Sequence, residues 1–410
     1  MSAPLEDIRV IEVGNWVAAP SAGAILADLG ADVIKVEPLR GDAMRGMFRP
    51  ARSSDGQSTI DAPFQVDNRG KRSIAVALDQ PEGARLVGRL IAGADIFLTN
   101  LLPERQARFG LDPKTTLEIN PRVVHATLTG YGATGPDAGR PGFDVTAFFG
   151  RGSVIDSMTD PGQTAPYPRP GQGDHVAGLA LLSGILSALR LVDRTGRGQV
   201  VEVNLFGTAA WTMATDLSSV LVDGREPSKR DRRHSTTALA NRYRCADDRW
   251  LFLNMPDAIW WSRFCAAVNV ENLLDDPRFR TSKDRYDNMP DLLDVLDVLF
   301  AGRTLHEWTQ ILDDAKLIWG PATTLAELAE DPQATAVALF PNIELHEQNI
   351  RTVAAPLTIR DANVRPRGAA PEIGQHTLEI LASIGLSPDE IRALADANVV
   401  LVPDTPSPDL

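Results

Sequence analysis

Residues 8–13 (IRVIEV), 22–29 (AGAILADL) and 32–37 (DVIKVE) decide the fold class. The outer two runs are rich in β-branched residues and read as strands. The middle run is small and apolar, ends at Gly30, and reads as a helix. The same alternation continues downstream. Strands are expected at 73–78 (SIAVAL), 95–99 (DIFLT), 122–129 (RVVHATLT) and 199–204 (QVVEVN). A helix is expected from Pro81 to about Ala92, with the proline in the first turn, where a missing N–H costs nothing. A longer helix is expected over Asp174–Leu191. Short apolar strands between amphipathic helices predict an α/β fold around a mainly parallel sheet.

The pattern changes near residue 222. The stretch 224–234 (GREPSKRDRRH) is polar and charged and reads as a solvated linker. Two short strands at 241–245 and 250–254 follow, then helices at 258–268, 289–301 and 305–312, which make a small α+β unit. A second crossing segment runs from about 320 to 341. Beyond it lie a strand-like 352–359 (TVAAPLTI), helices at 376–384 and 388–398, and a tail at 402–410 that composition marks as disordered.

Composition bounds the function. The 410 residues are 43% hydrophobic and 23% charged, enough for a large core without disulfides. With 41 basic and 54 acidic residues the net charge is −13, which argues against non-specific nucleic-acid binding and anionic membranes. An anionic ligand would have to meet a local basic cluster. Cys245 and Cys265 lack metal-ligand spacing and suit buried thiols in a reducing compartment. The opening MSAPLEDIRVIEVG does not read as a signal peptide. The longest apolar stretch, Val176–Leu189, is broken by two serines and reads as too short to span a bilayer. A cytoplasmic protein is expected.

Gly130, Gly132 and Gly135 have G-x-G-x-x-G spacing after a strand, but the residues that follow include Pro136, Gly139 and Pro141 and cannot open the helix that a dinucleotide site needs. These glycines read as turn formers. In 171–178 (GQGDHVAG), Asp174 stands at or near a helix start. On spacing alone it reads first as an N-cap. It can also serve as a nucleophile, kept ionised by the helix dipole and left accessible by flanking glycines. His175 points about 100° away on a helix and is not paired with it. Basic residues gather where strands end: Arg40, Arg45, Arg69, Lys71, Arg72, Arg105 and Arg108. They read either as ordinary surface charge or as a site for a polyanionic ligand at the carboxyl edge of the sheet. His125 reads as structural. No zinc signature, P-loop, G-x-S-x-G elbow or kinase motif is present, and no metal is expected.

In order and spacing, 4–38, 67–78 (DNRGKRSIAVAL), 97–112 (FLTNLLPERQARFGLD), 129–136 (TGYGATGP), 171–178, 241–250 (NRYRCADDRW), 276–279 (DPRF) and 371–387 (PEIGQHTLEILASIGLS) resemble the class III CoA-transferases. That group includes formyl-CoA transferase and, as relatives, α-methylacyl-CoA racemase. The resemblance implies a Rossmann-like large domain built from 1–222 and 342–410, a linker at 223–234, a small domain at 235–319 and a second linker at 320–341. It also implies an interlocked homodimer, with each site between the large domain of one subunit and the small domain of the other. Coenzyme A enters as substrate and product thioester, and the other partner is a small carboxylic acid. Asp174 becomes the implied nucleophile. The positions matching CoA contacts are Trp16, Arg72, Asn100, Leu101, Arg108 and Phe109. Arg40, Lys71 and Arg105 are added from charge and position. Val17, Phe143 and Asp144 are expected near the substrate.

Three departures bear on the chemistry. The racemases carry Gly-His-Asp where this chain has Gly142-Phe143-Asp144, and phenylalanine cannot take an α-proton. Formyl-CoA transferase has a glycine-rich loop in its small domain where Ser235–Ala238 stands, and a glutamine where Val17 stands. CoA transfer is therefore the leading expectation, with an acyl-CoA isomerase or racemase as the alternative and a non-enzymatic CoA-binding chain as a third.

Overall fold

The computed structural model describes residues 2–52, 59–229, 231–345 and 348–403. The chain divides into two compact units. One comprises Met1–Asp156, Tyr167–Arg225 and Thr335–Leu410; the other comprises Ser157–Pro166 and Glu226–Ala334.

The first unit is built on a seven-stranded sheet. Its strands are β1 (Arg9–Val13), β2 (Asp32–Glu37), β3 (Arg72–Val76), β4 (Ile96–Thr99), β5 (Val124–Thr129), β6 (Gln199–Asn204) and β7 (Val400–Leu401). The order across the sheet is β7-β3-β2-β1-β4-β5-β6. Every pair is parallel except β7 on β3. Alternate residues face opposite sides, as strand geometry requires. Val10, Ile96, Leu98 and Val124 enter the core on one face, whereas Ile11, Ile34, Ile74 and Phe97 enter the core on the other. Both faces are covered, the arrangement a parallel sheet demands.

Three helices position the site: α1 (Ala18–Asp28), α2 (Ala62–Asn68) and α3 (Gln172–Thr195). α1 begins four residues before the expected start, with Pro20 in its first turn, and is buried along its whole length. α3 crosses it closely. A Cβ on Gly178 would stand 2.2 Å from Ser21 Oγ and 2.9 Å from the Ala18 carbonyl oxygen. At 24 residues, α3 is longer than the expected Asp174–Leu191 and long and apolar enough to cross a membrane by length and composition. Length therefore does not exclude a span. Here Ala177, Leu181, Leu182 and Ile185 of α3 lie in the same buried cluster as Ala22 and Leu26 of α1.

One expectation fails in the last segment of the unit, and one element there was not expected. Residues 352–359 form no strand; the pairing runs instead between Asn342–Leu345 and Gln348–Arg351. Pro356 has no N–H to give a ladder, and Val353–Pro356 lines a cavity described below. β7 was not foreseen at all, because two residues carry no periodicity. Of the tail, residues 404–410 lie outside the described residues.

The second unit has a three-stranded antiparallel sheet of Trp319–Pro321, Trp250–Asn254 and Ala240–Arg244, in that order. Helices Asp257–Val268, Met289–Phe300 and Leu305–Asp314 complete it. Its core is aromatic: Tyr243 stacks on Phe300 at 4.4 Å, and the Trp308 indole donates to the Phe300 carbonyl at 2.9 Å. The basic stretch before it is not merely solvated. Arg232 and Arg233 clamp Asp297 and Asp294 on one helix, at 2.7 Å in each case.

Candidate active site

The N-terminus of α3 sets the site. Gly171, in the left-handed region at φ +94°, caps the helix without a side chain. Asp174 is the third helical residue and makes no cap hydrogen bond, which corrects the N-cap reading. The capping carboxylate comes from elsewhere. Asp144 Oδ2 accepts from the Gly171 and Gly173 amides at 2.7 and 3.3 Å, and its Oδ1 accepts from the Val145 amide at 2.7 Å. Asp144, expected near the substrate, is 1% exposed and occupied with backbone donors. It holds the start of α3 in place.

Asp174 lines a cavity of about 300 Å³ at the carboxyl ends of β1, β4 and β5, which Trp16, Asn100, Leu101, Arg105 and Phe143 also line. Ligands of open α/β sheets bind at this edge. The turn from β1 into α1 is fixed from two sides. The Asn100 amide accepts from the Asn15 N–H at 3.1 Å and donates to the Asn15 carbonyl at 2.6 Å. Trp16, at φ +67°, donates its N–H to Asp42 Oδ1 at 3.0 Å. A bulky residue in the left-handed region costs about 1–2 kcal/mol and persists only where its surroundings over-determine it. Here Asp42 is itself locked to the sealed Lys35 ammonium at 2.8 Å. The Trp16 ring meets Phe143 edge-on at 5.4 Å.

The electrostatics of Asp174 differ from the expectation. Burial, and then the neighbouring Asp144 carboxylate, push its pKa up to about 7; His175 pulls it down and Asp67 adds a further push up. The helix dipole therefore does not keep it in the usual carboxylate range. A carboxylate made basic by desolvation is the better nucleophile once ionised.

The seven clustered cations are mostly consumed inside the fold. Arg45 pairs with Glu37, Arg69 with Asp28, Lys71 with Glu12, and Arg72 with Asp32 and Glu379. Lys71 is 3% exposed, and its Nζ also meets the Pro20 carbonyl and Asn68. Burial brings its pKa down to about 8 against the pull of Glu12. Lys71 and Arg72 therefore drop out as ready anion ligands. Arg40, Arg105 and Arg108 form no ion pair among the described residues, and of these only Arg105 lines the Asp174 cavity. Arg105 and Arg108 stand over the ring of Phe109, which is 9% exposed and belongs to the core. His125 is structural, as expected: it is buried between Thr116 and Thr127, and burial takes its pKa down to about 4.

Successive residues divide between two cavities. Trp16 and Asp174 line the first; Val17 and His175 line a second, of about 540 Å³, walled by Ile25, Met44, Phe48 and Leu179. On it, His175 Nε2 meets Asp67 Oδ1 at 3.0 Å. Sequence reasoning missed Asp67, Asp42 and the capping role of Asp144. Each acts on a residue 26 or more positions away, and no local pattern signals such a pairing.

Comparison with known proteins completes the picture. CoA-transferase family III matches residues 5–377. The chain is 32% identical over 401 residues to the (R)-2-hydroxy-4-methylpentanoate CoA-transferase of Clostridioides difficile, covering 97% of this chain and 99% of that one. It is 31% identical to the cinnamoyl-CoA:phenyllactate CoA-transferase of Clostridium sporogenes, covering 96% and 97%. The crystal structure of a CaiB/BaiF family protein from Brucella suis superposes with a TM-score of 0.84 at 28% identity, covering 94% of this chain and all of that one. The chain belongs to CoA-transferase family III and is a class III CoA-transferase.

Proposed function

We propose that this enzyme moves CoA from an acyl-CoA thioester to a free carboxylic acid through covalent intermediates on Asp174. The observation that carries the reading is a buried, basic carboxylate at the wall of the cavity that also holds Trp16 and Arg105. In the first step an Asp174 carboxylate oxygen attacks the thioester carbonyl; the C–S bond breaks and CoA leaves as thiolate. The thiolate attacks the aspartyl carbonyl of the mixed anhydride and expels the donor acid. The acceptor carboxylate attacks the aspartyl-CoA thioester, which gives a second anhydride and thiolate again. Attack of that thiolate on the acceptor acyl carbonyl releases the new acyl-CoA and regenerates Asp174. Each step exchanges one acyl bond for another, so the relay uses no metal.

Arg105, Asn100, Leu101 and Trp16 are proposed CoA contacts, with Arg40, Arg108 and Phe109 flanking them. The acyl group lies beyond Val17, in the larger cavity. The apolar walls there suit a branched or aromatic acyl chain, and the acids in both relatives' names have such skeletons. Racemisation is disfavoured because Phe143, packed on Trp16, offers no base.

The functional form is a homodimer, interlocked as the family resemblance implies. The large exposed side chains of Trp211, Leu221 and Val222 support a partner surface. Cys245 and Cys265 are free and buried, in keeping with a reducing, cytoplasmic setting.

Brief exposure to acyl-CoA with hydroxylamine as trap tests the relay. Peptide mass analysis should find a hydroxamate on Asp174. An unmodified Asp174 during demonstrated turnover would refute it.

A further inference from the structure

The larger cavity is apolar except at one place. Of its polar side chains, Ser21 Oγ donates to the Ala18 carbonyl at 2.8 Å, and Arg69 is tied to Asp28 and to the Val66 carbonyl. His175 is different. Its Nε2 bonds the buried Asp67 carboxylate at 3.0 Å, and the side chain is 50% exposed. Its Nδ1 has no hydrogen-bond partner among the described residues. The Cε1–Nδ1 edge of the ring lies beside Gly171, where a Cβ would stand 3.7 Å from Cε1 and 3.9 Å from Nδ1. The ring is thus oriented by Asp67, edged by Gly171, and carried by the residue that follows the nucleophile, on the other cavity.

From this geometry we infer that the His175–Asp67 pair is a specificity device that recognises a hydroxyl group on the acyl chain held in the larger cavity. The inference rests on the proposed CoA transfer at Asp174 and deepens it. An acyl chain seated in this otherwise apolar chamber covers the half-exposed ring and takes its free nitrogen out of reach of solvent, so the chain must supply the partner itself. Asp67 keeps a proton on Nε2. Nδ1 then accepts from a hydroxyl when the ring is neutral and donates to one when it is charged. A hydroxyl can do both, so it fits either state, whereas an unsubstituted acyl chain would leave Nδ1 buried and unsatisfied. Sites that hydrogen-bond a substrate hydroxyl reject the analogue lacking it far more strongly than apolar pockets reject a size change. Asp67, which does not act on the substrate itself, is a positioning residue.

The test compares matched acceptor acids in the full-length enzyme: 2-hydroxy-4-methylpentanoate, 3-hydroxy-4-methylpentanoate and 4-methylpentanoate, each with the same acyl-CoA donor. Wild type should favour a hydroxy acid over the unsubstituted acid by tenfold or more in kcat/KM. In His175→Leu that ratio should collapse toward one, while in His175→Gln, which keeps a hydrogen-bonding group, it should survive in part. Asp67→Asn should reduce the ratio less than His175→Leu. Hydroxamate formation on Asp174 is followed in every variant, so a misfolded protein is recognised by loss of the trap signal. If the trap signal persists in His175→Leu with the hydroxyl preference intact, the inference is overturned and the transfer mechanism stands. A wild-type enzyme indifferent to the hydroxyl overturns it equally. An enzyme that binds CoA but transfers it between no pair of acids overturns the proposed function itself, and the inference with it.

Discussion

The buried Asp174 carboxyl should make the enzyme less stable than its own inactive variant, increasingly so as pH rises. The carboxyl sits at about 7 in the folded chain against an ordinary value of 3.8. The folded state therefore keeps its proton longer than the unfolded state does. Stability falls as pH rises from about 4 to about 7 and is flat above, once both states are ionised. A separation of about three pH units is worth about 4 kcal/mol at pH 8, and about 1.5 kcal/mol at pH 5 where the folded carboxyl is still protonated. Asp174→Asn is nearly isosteric and removes this cost, so its advantage over wild type should grow from about 1.5 to about 4 kcal/mol across that interval. Two compact units unfold together in no guaranteed order. The appropriate readout is therefore native-state hydrogen exchange of α3 amides, with the opening free energy compared at pH 5, 7 and 8. The variant should also lose CoA transfer entirely. An advantage that is absent, or that does not increase with pH, would refute the account of how Asp174 is held.

Four further outcomes follow from neighbouring contacts. Asp144→Ala strands two backbone N–H groups at the α3 start and that of Val145, and should cost about 2–4 kcal/mol in chemical denaturation. Asp144→Asn removes the negative charge beside Asp174, so the acid limb of the kcat/KM profile should move to lower pH. Lys35→Met leaves Glu12 and Asp42 buried without their shared ammonium and should destabilise the first unit by about 3–5 kcal/mol, read by urea titration. Gly178→Ala drives a methyl into Ser21 Oγ and the Ala18 carbonyl; about 1–3 kcal/mol of overpacking should appear as a lowered melting temperature.

Strand positions were largely legible from their β-branched runs, in the buried middle of the sheet at β1 and β2 and also at the half-exposed edge strand β6. β2 and β6 fall where their β-branched runs predict, and β1 within one residue. The site was legible as residue types. Trp16 stands at the β1–α1 junction, where sheet ligands bind, and Asp174 in the first turn of α3, and the structure brings both to one cavity. Their partners were not legible. Charge alone cannot tell a cation that waits for a phosphate from one that closes a buried pair. Lys71 proved to be the latter, because Glu12 reaches it from a strand distant in sequence, and Arg72 is taken up in the same way by Asp32 in a partly exposed pair. Asp144 read as a substrate contact for the same reason. Its duty lies with amides 27 and 29 residues downstream, and neither segment shows it alone.

The antiparallel closure of the sheet has a consequence for synthesis on the ribosome. The outer edge of β3 is completed by residues 400 and 401, and Ser73 exchanges hydrogen bonds with His376. Until those residues emerge, a strand whose Ile74 and Val76 are destined for full burial presents an unpaired edge. At about 5–20 residues per second the interval lasts roughly 15 to 60 seconds, and residues 226–334 of the second unit are made within it. An open apolar edge is a template for pairing with other chains. The nascent protein thus carries an unpaired apolar edge until late in translation, and a chain terminated a few dozen residues early would hold every residue of the catalytic cavity and be expected to partition into aggregates.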